Sequence, residues 1–323
     1  MGVRTQAVSL FQVVNRDARH WQILALSGLF CISFTTSDFG ARPTALIAAI
    51  FGAMSAQVMG TVWVNARREI RTSGTGSHWR SSSLEAGLVG WFAGYQWKSA
   101  LITSLSLSIL LRANSLWFWL AAGFIAISAK FLIRYRGKHL FNPACSGIVT
   151  VSLLFGSAAW VSPGQWGQTP IFAAFAIGFA ALVLSSAKRL DVALGFLIGF
   201  AAMLFGRALY LGDPLTIPIH QMQSGALLVF AFFMITDPRS TPDSRIARLV
   251  FAFAVAALAA WLSWEYHIRG AMLYALAALA ILTPILDRLL PAHRFQWTST
   301  EGQSDEPETP RGGVRSRPRL IRA

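Results

Sequence analysis

The sequence predicts an all-α, polytopic membrane protein of about ten transmembrane helices with both termini in the cytoplasm. Three observations predict it. Hydrophobic residues make up 54% of the 323 positions and charged residues only 13%, too few charges to wet the surface of a soluble protein of this size. The apolar residues gather into runs of roughly the length that crosses a bilayer. The basic residues gather into alternate connections between those runs, as the positive-inside rule requires of cytoplasmic loops.

The spans are expected at residues 23–37, 44–65, 98–111, 116–133, 142–160, 170–186, 192–211, 222–236, 246–264 and 270–286. The third and eighth are short, and a short apolar stretch also suits a re-entrant segment. Residues 87–95 read as an interfacial stretch ahead of the third span. With the N-terminus inside, the cytoplasmic loops hold Arg67, Arg68, Arg71 and Arg80, then Arg134, Arg136 and Lys138, then Lys188 and Arg189, then Arg239, Arg245 and Arg248. The opposite side holds Arg42, Arg112 and Arg269, with Arg207 near a helix end. Trp63, Trp117, Trp119, Trp160, Trp261 and Trp264 fall near span ends, where indole rings favour the headgroup level.

The chain divides into a cytoplasmic N-terminal segment (1–19), a transmembrane domain (20–290) and a basic, disordered cytoplasmic tail (291–323). No cleavable signal peptide is evident, because the first 19 residues lack an apolar core. The tail turns acidic and then strongly basic with almost no apolar content, a composition that cannot support a packed core.

The net charge of +14 reports orientation in the membrane and not nucleic-acid binding. Cys31 and Cys145 are too few for a four-thiolate iron–sulfur site. No phosphate-cradling loop after a strand, no His-x-x-x-His pair and no nucleophile elbow occurs. The sequence assigns no catalytic residue and no metal ligand.

Three short segments carry the candidate binding residues. In the first, Asn142 reads as the cap of the fifth helix with Pro143 in its first turn. The free N–H groups there, with Lys138 close by, could hold an anion such as a cofactor phosphate, or simply cap a helix beside a positive loop. In the second, Thr236 and Asp237 end the eighth span. A carboxylate at the membrane edge must be paired or capping, so Asp237 serves either a turn or a ligand. In the third, Ser224 and Gly225 let helix backbones approach closely or present a flat surface to a ring-shaped ligand. The pair Ser146-Gly147 echoes Ser224-Gly225, with Val151, Phe155 and Val229, Phe233 at matching offsets, which suggests an inverted repeat.

Five segments, in order, resemble one family: the D-type membrane protein of Rnf electron-transport complexes and its B-type relative in the sodium-pumping NADH:quinone oxidoreductase. They are Asp17 to Ile23, Lys98 to Thr103, Lys138 to Ala144, His220 to Pro238, and Thr283 to Asp287. The resemblance implies a multi-pass subunit of the bacterial inner membrane, assembled with other Rnf/Nqr-like membrane subunits, that carries flavin and passes electrons in a complex coupled to Na⁺ or H⁺ movement. It implies one flavin mononucleotide attached to a Thr of an extracytoplasmic loop after the fifth helix, and a second flavin held noncovalently among the helices.

Here the corresponding loop, 161–169, is short and lacks the acceptor motif, so no covalent flavin is expected. Lys138, Asn142, Pro143, Ser224, Gly225, Thr236 and Asp237 are the residues expected near a noncovalent flavin (FMN or riboflavin). In this the chain looks most like truncated relatives that occur as accessory proteins, including those encoded beside enediyne antibiotic pathways. Two other readings remain open on the same scaffold: a non-redox transporter or channel for a small solute, and a membrane anchor for partner enzymes.

Overall fold

A computed structural model describes residues 18–35, 41–73, 95–162 and 189–292. Helix α1 (Ala18–Thr35) is followed by α2 (Pro43–Ser73) and α3 (Trp97–Leu110). Strand β1 (Leu111–Ala113) leads into α4 (Leu116–Leu132), and strands β2 (Arg134–Tyr135) and β3 (Lys138–His139) into α5 (Pro143–Phe155). A 3₁₀ turn (Gly156–Ala158) and β4 (Ala159–Val161) follow. The later elements are α6 (Leu190–Leu211), α7 (Thr216–Met222), α8 (Gly225–Val229) with a π-helical continuation (Phe230–Met234), α9 (Arg245–Glu265), α10 (Ala271–Ala280) and α11 (Thr283–Leu289).

The described residues are mainly helical, as the apolar runs require. Three helices are long and apolar enough to cross a membrane: 43–67 within α2, α6 and α9. Two bent pairs, α7 with α8 and α10 with α11, raise the number to five if each is one span. The expected sixth span (170–186), the interfacial stretch up to residue 94, most of the loop 161–169 and the tail beyond 292 lie outside the described residues.

Small residues set the packing. Helix α2 lies along α4, and α4 along α5. A Cβ added at Gly52 would sit 2.0 Å from the Leu120 carbonyl oxygen, and one at Gly123 2.4 Å from that of Ala49. Only hydrogen fits there, so the two backbones approach as closely as small-residue contacts in membranes allow. Gly147 repeats the device between α5 and α4, with the Ala122 oxygen 2.4 Å from a virtual Cβ. Helix α6 packs on α9, α9 on α10, and α10 on α5, so one apolar core runs through both parts. Outside that core, large apolar side chains such as Phe51, Trp117, Leu153 and Ile198 are exposed, the surface expected of a protein dissolved in lipid.

Three expectations need correction. The fifth helix does not run to Trp160: it stops at Phe155, where Gly156 takes φ 45°. The chain then becomes β4 and pairs antiparallel with β1, Leu111 opposite Val161 and Ala113 opposite Ala159. The physical reason is length. Helices of 14 and 13 residues, α3 and α5, reach about 20 Å at 1.5 Å per residue, short of a hydrocarbon core of about 30 Å. Their backbones continue as a strand pair whose Leu111, Ala113, Ala159 and Val161 are buried in protein, the condition under which non-helical backbone is tolerated at depth.

The eighth span, expected over 222–236, is helical from Gly225 and widens into a π turn, with the Ile235 N–H donating to the Phe230 carbonyl; the short helix α7 precedes it on an axis turned by 48°. The tenth bends by 51° between α10 and α11, where Pro284 offers no N–H to the preceding turn. Trp119 is no interfacial anchor: it is 3% exposed, and its indole N–H is buried without a partner among the described residues. Trp117, on the opposite side of the same turn, is 74% exposed.

Candidate functional site

The connection from α4 to α5 builds the site. Arg136 and Gly137 both take positive φ, as the two-residue turn of a tight hairpin demands, and close β2 on β3 with Arg134 opposite His139. Successive strand residues face opposite sides. Lys138 therefore goes one way and His139 the other, and two different polar clusters form on either side of one strand.

On the Lys138 side, Nζ lies 2.7 Å from Asp243 Oδ2 and 2.9 Å from Asp287 Oδ2. Asp287 Oδ1 also accepts from the Asp243 N–H. Arg248 Nε donates to Asp191 Oδ2 at 2.9 Å, and its Nη1 donates to the Asp243 carbonyl. Arg189 donates to the carbonyls of Pro242 and Pro238, fixing the start of α6 to the loop 237–244. Lys138, expected beside a bound anion, faces two carboxylates here, one from α11 and one from the loop before α9.

On the His139 side, Nε2 lies 3.0 Å from Asp237 Oδ2. Burial by itself would raise the Asp237 carboxyl; His139, the Arg239 N–H and Ser240 outweigh it and hold the group below the usual carboxylate range. Asp237 Oδ1 accepts from the Arg239 N–H at 3.1 Å and its carbonyl accepts from the Thr241 hydroxyl, so it also shapes the turn. Asn142 caps α5: its Oδ1 accepts from the Cys145 N–H at 3.0 Å, and its Nδ2 donates to the Met234 carbonyl at 3.2 Å. The cap thereby ties the first turn of α5 to the end of the π turn.

Asn142, Pro143, Thr236 and Asp237 line one cleft, together with Arg239 and His139. Ser224 and Gly225 do not line it; they sit at the break between α7 and α8. The opposite wall comes from α1, α3 and the residue before α3, through Arg19, Gln22, Gln96, Ser99, Thr103 and Ser106. The spacing of Ser99, Thr103 and Ser106 (i, i+4, i+7) puts all three on one helical face.

Sequence reasoning missed the residue at the centre. Lys130 sits in the last turn of α4 and is 5% exposed. Its Nζ donates to Gln96 Oε1 at 3.2 Å and to Ser99 Oγ at 3.1 Å. The signal was present: Lys130 is the only charge in the fourth apolar run, and an ionisable residue inside a span marks a functional site by default.

The cleft has a volume of about 100 Å³, well below the roughly 300 Å³ at which small-molecule pockets begin. Its donors suit an anionic group, such as a flavin's phosphate. Its enclosed space does not take a flavin's ring system. Among the described residues no group of three or more His, Cys, Asp or Glu could hold a metal ion.

One family model matches the C-terminal half of the chain. Residues 159–296 match the NQR2, RnfD, RnfE family. The chain is also similar to the D component of an ion-translocating oxidoreductase complex from Alcanivorax borkumensis, 27% identical over 223 residues covering 50% of this chain and 64% of that protein. The protein of the same name from Pseudomonas paraeruginosa is 26% identical over 248 residues, covering 58% and 72%. That of Stutzerimonas stutzeri is 28% identical over 150 residues, 41% of each. The chain thus spans less than two thirds of the first of these relatives. The segments His220–Pro238 and Thr283–Asp287 lie inside the family match; Asn142 and Lys130 lie before it.

Proposed function

We propose a function from one premise: residues 159–296 belong to the NQR2, RnfD, RnfE family, and the chain is a relative of that family's D-type proteins. It is a membrane-embedded subunit of an Rnf-type ion-translocating oxidoreductase complex and works beside other membrane subunits of that complex in a bacterial inner membrane. The observation that carries this reading is the similarity to three proteins of that name, on a chain with three to five apolar helices long enough to span a bilayer.

Within that role, a noncovalent flavin remains the cofactor proposed, and no covalent one. When bound, flavin would carry the electrons, while the protein supplies orientation and charge. Lys130, Arg239 and Asn142 are the cleft residues whose chemistry suits its phosphate. The isoalloxazine ring would have to lie outside the enclosed space. Lys130 supplies positive charge, Asn142 orients the start of α5, and Asp237 holds the His139 ring in place.

Purification of the tagged full chain from its native membranes tests the proposal. Co-purification of redox subunits is expected, with flavin that is released into the supernatant by acid precipitation. Flavin retained in the precipitate would refute the noncovalent assignment. A colourless protein that purifies alone and conducts a small solute in liposomes would replace the redox reading with the transport one.

A further inference from the structure

Lys130 differs from Lys138 and Arg248, which pack at the same end of the molecule. Lys138 faces two carboxylates and Arg248 faces Asp191. Lys130, at 5% exposure, faces two neutral acceptors, and among the described residues no carboxylate lies within ion-pair distance of it. An ammonium has three N–H donors, and Gln96 and Ser99 account for two. A buried charge without a counter-charge is costly unless something neutralises it.

Further donors line the cleft. Arg19 and Arg239 line the same cleft, and Asp237 is the one acid among the described residues of its lining. That acid is already engaged by His139 and by the Arg239 N–H. The start of α5 closes one side with Asn142, Pro143 and Ala144, contributing the positive end of a helix dipole. His139, also 5% exposed, lines the cleft with an Nδ1 that has no hydrogen-bond partner among the described residues. The cleft is small, about 100 Å³, a size that suits a small anion better than a large ligand.

We propose that this cleft binds a phosphate-like oxyanion, with Lys130 as its central counter-charge and Arg239 at its rim. The shared chemistry is a tetrahedral phosphate, whether free in solution or carried by an anionic lipid headgroup. The inference concerns the cleft that the flavin reading also uses for a phosphate, but it requires no flavin; a transport protein with this cleft would bind the same anion.

The test is equilibrium dialysis of radiolabelled inorganic phosphate against the full chain, purified in neutral detergent and phosphate-free buffer. Saturable binding that sulfate displaces is expected. Lys130→Met should weaken it by about tenfold or more, since it removes the charge partner, while Lys130→Arg should largely retain it. Arg239→Gln provides a second variant should the Lys130 variants fail to fold, with a loss of several-fold expected. The same measurement in phosphatidylcholine vesicles with and without phosphatidylglycerol separates the sources. Suppression of phosphate binding by the anionic lipid assigns the site to a headgroup; indifference to it assigns the site to the free anion. Absence of saturable binding by the wild-type chain in detergent and in both vesicles, or equal binding by folded Lys130→Met or Arg239→Gln, overturns the proposal. Flavin is assayed on the same samples, so loss of the cofactor reading and loss of the anion reading are scored separately.

Discussion

Two basic clusters flank a single two-residue strand, and they are built on opposite principles. Around Lys138, carboxylates from Asp243 and Asp287 balance the charge, and Arg248 has Asp191. Around Lys130, the partners are an amide and a hydroxyl, and the one carboxylate among the described residues of the cleft lining is committed to His139. A cation with its acids in place locks chain segments together. A buried cation without them attracts an anion from outside the chain. The contrast explains why the lysine most visible in the sequence serves the fold while the overlooked one faces the cleft.

The comparison can be broken most strongly at Lys138. Lys138→Met strands two neighbouring carboxylates that are largely buried, and a loss of about 3 kcal/mol is expected for removing one partner of such a pair. Thermal unfolding in detergent would register it, and an unchanged midpoint would mean that the cluster is not structural. Asp237→Asn removes the charge facing His139 but keeps the turn's shape, so about 2 kcal/mol is expected.

That residue also makes a pH prediction. Its carboxyl is held below the usual value, so its contribution is complete above the unfolded pKa of about 4 and is lost as pH falls through the lower folded value. The Asp237→Asn variant should accordingly show a shallower loss of stability on acidification than the wild type. Parallel acid limbs for the two proteins would contradict the assignment.

Asn142→Ala deletes the cap to Cys145 and the bond to Met234 together. About 1–2 kcal/mol is expected, and hydrogen exchange should quicken in the first turn of α5 and in the π turn alike. Exchange that quickens in α5 alone would mean that the Met234 tie carries nothing. The smallest effect sharpens the contrast best. Lys130→Met leaves no acid stranded, so in phosphate-free buffer it should cost nothing or stabilise by about 1 kcal/mol. A loss comparable to that of Lys138→Met would erase the distinction between the clusters.

What could be read from the chain follows the range of the forces involved. The Asn142 cap and Pro143 at the helix start depend on close sequence neighbours, and local chemistry fixes them. The long spans within α2, α6 and α9 rest on hydropathy alone. The partners of Lys138 lie on the far side of α6 in sequence, at Asp243 and Asp287, beyond any local pattern, and so its ion pairs were not legible from the helix start. The β1–β4 pair brings Leu111 against Val161 because two helices end early, and early ends look like full spans in an apolar sequence. The bend between α10 and α11 was equally hidden, since a bent and a straight apolar stretch have the same composition.

By itself the sequence determined the solvent: apolar runs enter lipid because water disfavours every exposed methylene. The tertiary structure alone decided which charges cancel. Coulomb attraction falls off over a few ångströms of partly buried space, so only folding, which set Asp243 and Asp287 against Lys138 and left Lys130 beside Gln96 and Ser99, could distinguish a brace from a binding site.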